Sequence, residues 1–480
     1  MKKFTKSPAK MIWAILLMAL VVVAVVALPR TALGAAGKID DLAMTKMTTE
    51  GQANVFVKMA SDVSLAGAES LTDRVERLNY VHDTLVSHAN ATQKDLLAYL
   101  DSQGVRYHSF WINNSVYIWD ATLDLAREIA RRGDVSYIRG ERAAYLDMPV
   151  VVAENTDSPE AIEWGVSMIN ANDVWALGYT GNGIVVSNVD SGVRWTHDAL
   201  DNQYRGSNGN HDYDWWDPQE TQLVPTDGLG HGTHTMGTMV GDDGGSNQIG
   251  VAPDAQWIAA QGCNSSGFCF DFDLTSSAEF IECPTDVNGN NPNCALAPHV
   301  VNNSWGDSFG GDNWYQSYVN AWHAAGIMPV FSAGNNGSGC SSMGSPGDYR
   351  NVVGVGAVDI NQTLAWFSSR GPGDFNRQKP DVVAPGDNVR SSYNTSDTSY
   401  ANLSGTSMAA PHTAGAFALM MDKSIGSNRD MMLALRNNTV QGLPNPPNPD
   451  TCSGKSYTVY PNFHYGYGLI DVLAAINNWP

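Results

Sequence analysis

Residues 181–193 read GNGIVVSNVDSGV. Glycines lead into a β-branched run, residues 184–189, and the run ends on Asp190. Similar short runs follow at 256–260, 300–302, 328–332 and 352–358, and between and after them lie helical stretches such as 317–325 and 408–421. Alternation of this kind predicts an α/β fold, a parallel sheet with helices on both faces. Such sheets bind ligands outside the carboxyl ends of their strands, which is where Asp190 falls. Taken alone, an acid there more often caps a turn.

Upstream, residues 38–150 read as a small α+β unit. Residues 53–59 alternate like a strand, and 73–100 carry Val75, Leu78, Val81, Leu85, Leu96, Leu97 and Leu100 largely at helical spacing. Residues 105–111 and 115–119 predict a hairpin around Asn113-Asn114, 123–132 a second helix stopping at Gly133, and 135–139 a last strand. The order β-α-β-β-α-β is the ferredoxin-like split βαβ pattern. The next stretch, MPVVVAENTDSPEAIEW, lacks periodicity and reads as a linker, centred on residues 151–163.

The chain's extreme start is different again. Four lysines precede an apolar run, residues 11–28, and small residues follow in TALGAAG. This is the pattern of a secretory signal over residues 1–36, with an uncleaved N-terminal anchor facing outside as the alternative. Six cysteines in an exported chain predict disulfides. Loop length favours Cys263–Cys269 and Cys283–Cys294, leaving Cys340–Cys452. Metal ligation is disfavoured, since no C-x-x-C pair is present.

Charge narrows the function. The 480 residues hold 28 Lys and Arg against 49 Asp and Glu, a net −21, with 43% hydrophobic and 16% charged residues. That excludes a disordered chain, and it argues against a nucleic-acid or anionic-membrane binder. The acidity belongs to residues 151–480, which hold 33 acidic and 11 basic residues.

Three further segments stand out. His231 lies in GLGHGTHTMGTMVG, Ser407 in LSGTSMAAPHTAGAFALMM and Asn335 in VFSAGNNG. Ser407 heads an apolar helix, whose free N–H groups and positive dipole end suit an oxyanion. Pro411 is tolerated if it falls in the first turn. An asparagine amide aimed at a developing oxyanion supplies roughly 3–4 kcal/mol of transition-state stabilisation. His234 and His412 read as packed, satisfied histidines.

Each feature is weak alone, but VSNVDSGV, GHGTHTMGT and GTSMAAPHTAG together, in the order Asp, His, Ser, resemble the three signatures of the subtilisin family of serine peptidases. NNSWG, SAGNNG, WFSSRGP, KPDVVAPG and GYGLIDVLAA add to the match, which covers roughly residues 160–478 and is similar to the bacillopeptidase F-like members. Residues 37–150 resemble, less specifically, that family's inhibitory propeptide.

The resemblance implies a secreted serine endopeptidase domain over residues 164–480, made as a self-processed zymogen. Ser407 would be the nucleophile, His231 the base and Asp190 its orienting acid. Asn335 and the Ser407 N–H would form the oxyanion hole. Ser304, Trp305 and Gly306 would pair with extended substrate, and Ala333 and Gly334 would line the first specificity pocket. Activity should fall below about pH 6–7 as the imidazole protonates. Protein or peptide substrates are implied, with the propeptide as intramolecular inhibitor, no nucleic acid, and a monomer.

The cut is expected in residues 149–163, and His82, His88 and His108 read as surface histidines rather than a pH trigger. No cofactor is expected for catalysis. Structural Ca²⁺ is a family habit, for which Asp286, Asn288 and Asn290, or the cluster Asp212, Asp214 and Asp217, are the weak candidates. The match running to the C-terminus leaves no room for an appended domain. An α/β-hydrolase esterase is disfavoured because the serine comes last and lacks G-x-S-x-G. A catalytically dead binding module is disfavoured because all four catalytic residue types are intact.

Overall fold

Short runs of valine, isoleucine and alanine fenced by glycines become strands because both their faces are buried. The computed structural model describes residues 35–146, 150–154, 162–449 and 451–479. The proposed export signal falls largely outside these residues. No helix among the described residues is long and apolar enough to cross a membrane.

Nine strands form the main sheet, in the order Thr439–Val440, Leu469–Ile470, Val382–Pro385, Val353–Val358, Met328–Ser332, Val300–Asn303, Val185–Asp190, Gln256–Gln261 and Trp215–Trp216. Every pairing is parallel except that of the outermost Thr439–Val440. Helices His231–Val240 and Thr406–Lys423 pack on one face. Asp271–Glu282 and Gln316–Ala325 pack on the other. This is the α/β arrangement that the alternating pattern predicts. Strand Val185–Asp190 runs between Val300–Asn303 and Gln256–Gln261. The chain order reverses there, so a crevice opens at its carboxyl end.

The helix Thr406–Lys423 is the keel of this domain. Phe417, Leu419 and Met420 are fully buried. Each contributes about 1.5–3 kcal/mol through the apolar area it removes from water. Pro411 does not fall in the first turn, because the helix begins at Thr406. A proline there leaves the Ser407 carbonyl without its helical N–H. Ser304 Oγ donates to that carbonyl at 2.9 Å instead.

The N-terminal unit has a four-stranded antiparallel sheet in the order Tyr107–Phe110, Ser115–Thr122, Gln52–Met59, Val135–Gly140. With helices Arg74–Gln103 and Leu123–Ala130 it has the split βαβ topology. The helix Asp41–Thr49, not anticipated from sequence, packs beside the first and last strands. Asp73 caps the long helix by accepting the Glu76 N–H, and Gly104 ends it at φ 64°. That helix serves two cores. Leu96 and Leu100 pack on the unit's own sheet, whereas Leu78, Val81 and Leu85 join the cluster beneath the main sheet with Trp322 and Phe280.

The stretch read as a linker is not wholly irregular. Strand Val150–Glu154 pairs antiparallel with Tyr400–Ser404. The preceding strand, Ala143–Leu146, pairs with Phe268–Phe270 on one side and Trp305–Gly306 on the other. The periodicity signal is absent because these strands are fixed by backbone pairing to distant segments rather than by one apolar face. The three cystines are those that loop length favours: Cys263–Cys269, Cys283–Cys294 and Cys340–Cys452.

Candidate active site

Asp190 ends its strand fully buried, and its Oδ1 lies 2.7 Å from His231 Nδ1. The Ser191 N–H donates to the same oxygen at 2.7 Å, and Thr235 Oγ1 donates to Oδ2 at 3.2 Å. A buried carboxylate held this way fixes the imidazole's orientation and tautomer. Helix His231–Val240 approaches the strand closely because Gly232 has no side chain. A Cβ there would stand 2.0 Å from the Gly192 carbonyl oxygen. Asn188 Nδ2 ties the same helix down through the Gly232 carbonyl at 3.0 Å.

Asp227 is a residue that the sequence reading missed. Its Oδ1 accepts from Ser191 Oγ and from the Leu229 and Gly230 N–H groups, and its Oδ2 from the N–H and Oγ of Thr233. It thus caps the start of the His231 helix and joins it to the strand bearing Asp190. The signal was an aspartate four residues before the histidine in a glycine-rich turn, a capping pattern.

Ser407 is the second residue of its helix and fully buried, with Oγ 3.2 Å from the Ser304 carbonyl oxygen. Ser304 follows strand Val300–Asn303, the neighbour of the strand ending in Asp190. Both therefore lie at the same carboxyl edge of the sheet. Asn335 follows strand Met328–Ser332 at that edge too. Its Oδ1 accepts the Thr406 N–H and the Thr406 hydroxyl, each at 2.9 Å. This turns the amide nitrogen toward Gly405, where a Cβ would stand 3.1 Å from Nδ2. Ala333 is buried, and Gly334, at φ 99°, donates its N–H to Thr406 Oγ1 at 3.1 Å.

The predicted substrate-pairing strand is taken by the chain itself. Trp305 pairs with Leu146 and Gly306 with Tyr145, and the Leu146 N–H donates to the Gly267 carbonyl at 2.9 Å. Trp305 contributes through its backbone. Its indole is buried against Tyr315 and Phe331, with ring centroids 5.1 and 5.5 Å away.

His234 and His412 are the packed histidines expected. His234 Nε2 contacts the Val389 and Ala401 carbonyls, and burial lowers its pKa to about 3. His412 Nδ1 contacts the Met408 carbonyl, and burial lowers its pKa to about 4. His88 is half-buried, with Nε2 3.0 Å from the Ser61 carbonyl oxygen. His108 is exposed, as expected, and its ring meets Phe110 and Phe272, while the half-buried His82 meets Trp111 and Asp83.

The acids suggested for Ca²⁺ accept hydrogen bonds from the chain itself, Asp212 from the Val287 N–H. Asp286 accepts the Asn288 and Asn290 N–H groups and the Asn291 amide. Asp214 pairs with Arg205, and Asp217 accepts from Gln219, Thr221 and Gln222. Among the described residues, the one cluster of histidine, cysteine and acid side chains at metal-ligand spacing is His82 with Cys283 and Cys294, whose sulfurs are bonded to each other.

Residues 181–468 match the Subtilase family, Peptidase_S8. The chain belongs to the subtilase family. This subtilase is 35% identical over 462 residues to Bacillopeptidase F of Bacillus subtilis (strain 168), a match covering 92% of this chain and 31% of that protein. The chain therefore spans about a third of that relative's length. It is 33% identical over 318 residues to Subtilisin DY of Bacillus licheniformis, covering 66% of this chain and 99% of that one. The solved structure of fervidolysin from Fervidobacterium pennivorans, a keratinolytic enzyme related to subtilisin, aligns with a TM-score of 0.61 at 20% identity, over 89% of this subtilase and 61% of that chain. At that identity the likeness concerns the fold.

Proposed function

We propose that this chain is a secreted serine endopeptidase, made as a zymogen that processes itself. The observation that carries the reading is the buried Asp190–His231 pair at the sheet edge that also holds Ser407 and Asn335. In the proposed reaction Ser407 Oγ attacks the scissile carbonyl while His231 takes its proton and returns it to the leaving amine. Asp190 stabilises the imidazolium and stays ionised. Asn335 Nδ2 and the Ser407 N–H, at the positive end of the Thr406–Lys423 helix, receive the oxyanion. Water then releases the acyl group by the same proton path. The chemical steps call on no cofactor.

Residues 35–146 act in this reading as an intramolecular inhibitor. Strand Ala143–Leu146 lies between Phe268–Phe270 and Trp305–Gly306 as an extended substrate would, by β-augmentation. The chain next pairs at Val150 with Ser404, three residues before Ser407. We therefore assign the processing cut to a bond between Leu146 and Val150, upstream of or at the very start of the segment 149–163 first considered. Protein and peptide substrates would occupy the same strand position once the segment leaves. The N-terminal pattern of lysines, apolar run and small residues supports export. A monomer fits the reading.

The test is a serine-reactive phosphonate probe on the full chain, with N-terminal sequencing of the product. Labelling lost in Ser407→Ala, together with a new N-terminus at residue 147, 148, 149 or 150, is the expected result. Absence of labelling in the parent chain overturns the peptidase reading. Cleavage that persists in purified Ser407→Ala overturns self-processing.

A further inference from the structure

A second concave site lies at the opposite, amino-terminal edge of the main sheet. It encloses about 380 Å³ and is lined by Arg350, Arg377, Lys379, Asp381, Arg436 and Tyr467, among others. Four of the 11 basic residues in the stretch 151–480, which carries 33 acids, meet in this one pocket. Such crowding of scarce cations is unfavourable unless an anion answers it.

The single lining carboxylate is already committed. Asp381 Oδ1 pairs with Arg436 Nη2 at 2.7 Å, and Oδ2 pairs with Lys379 Nζ at 2.7 Å and accepts the Gly354 N–H at 2.7 Å. Lys379 also donates to the Val352 carbonyl at 3.0 Å. Arg436 Nε remains buried with no hydrogen-bond partner. Among the described residues, Arg350 and Arg377 form no ion pair; Arg377 lies 5.3 Å from the exposed Phe375 ring. Two guanidinium forks without an ion pair thus line a cavity whose acid is already engaged.

We propose that this pocket binds a compact multivalent oxyanion of the phosphate class. Planar guanidinium forks match the paired oxygens of such an ion, and several charge-assisted bonds can form at once. Tyr467 lines one side of the pocket, whose size suits a small ion. A bound ion would join the segment before strand Val353–Val358, the loop around Arg377 and the last turn of helix Asn428–Asn437. It would therefore stabilise the fold in proportion to the logarithm of its concentration.

The test uses the full chain titrated with sodium pyrophosphate and, separately, with inorganic phosphate, against sodium chloride at matched ionic strength. Heat of binding and the unfolding midpoint are followed together. Saturable binding is expected, tighter for pyrophosphate, and Arg350→Gln/Arg377→Gln should weaken it about tenfold or more. If that double variant fails to fold, Arg350→Gln alone, at an exposed position, should still weaken binding by about threefold. A midpoint that follows chloride alone, or variants that bind as the parent does, overturns the proposal.

Discussion

The catalytic edge and the face beneath the N-terminal unit both bury carboxylates, but in opposite ways. Asp190 is buried among donors: His231, the Ser191 N–H and Thr235. On helix Asp271–Glu282, Asp271, Asp273 and Glu282 are buried and Glu279 is half-buried beneath the Trp111–Ile112 backbone. Glu279 accepts the Trp111 and Ile112 N–H groups, yet burial pushes its pKa up to about 8. Burial and the nearby Glu279 raise Glu282 as well, with Asp83 adding to the shift and Arg74 opposing it. Asp273 is pushed up to about 7 by burial, against the Gln219 hydrogen bond and with Glu141 and Asp217 nearby. Among the described residues, Asp271 is the one acid of this helix with an ion pair, to Arg139 at 2.9 Å. The contrast teaches that burial alone does not make a carboxylate's role: Asp190 orients a histidine, whereas on the other face burial makes charge costly even where donors are present.

The largest effect should separate the two sites outright. Asp190→Asn is expected to lower kcat by about 10⁴-fold, because the imidazole loses its orienting acid. Glu279→Gln, measured on processed enzyme in the same peptide assay, should leave kcat unchanged. Equal losses in both would abolish the distinction.

Next in size is the oxyanion donor. Asn335→Ala should cost about 10²–10³ in kcat with little change in KM. A loss confined to KM would show that Asn335 binds ground-state substrate instead.

The interface acids predict a pH-dependent inhibitor. A carboxyl whose pKa is raised in the joined state holds a proton there that it releases on separation. Association is then strongest in acid and weakens as pH climbs from the ordinary 4.5 of a glutamate through the value of about 8 for Glu279. The dissociation constant of the cleaved N-terminal unit from processed Ser407→Ala enzyme should rise by about tenfold or more between pH 5 and pH 8. Glu279→Gln should flatten that rise. A constant that is flat with pH, or that falls, breaks this half of the comparison.

The smallest effect concerns Ser304. Ser304→Ala removes the bond that serves the carbonyl freed by Pro411. Denaturant unfolding should show a loss of about 1 kcal/mol. A neutral result would mean that the Ser407 carbonyl finds another donor.

Much of this arrangement is readable before any coordinates. The strand ending in Asp190, the long capped helix beginning after Asp73 and the cystines Cys263–Cys269 and Cys283–Cys294 depend on local patterns or short loops, and Cys340–Cys452 is the pair they leave. The strands Ala143–Leu146 and Val150–Glu154 were not readable, because distant backbone partners rather than their own periodicity hold them. Glu279 gave no signal either. It looks like an ordinary helix-surface acid until the Trp111–Ile112 backbone covers it.

Residue order alone determined the family's three signatures, the alternation that makes a parallel sheet, and the excess of aspartate. These rest on side-chain type and spacing along one chain. Tertiary structure alone decided which groups meet: Asp227 beneath the His231 helix, Ser304 at the carbonyl opened by Pro411, the chain's own strand against Trp305–Gly306 in the proposed substrate position, and four scarce cations around one carboxylate. Such meetings follow from close packing of segments far apart in sequence, where burial and available donors set each group's charge and role.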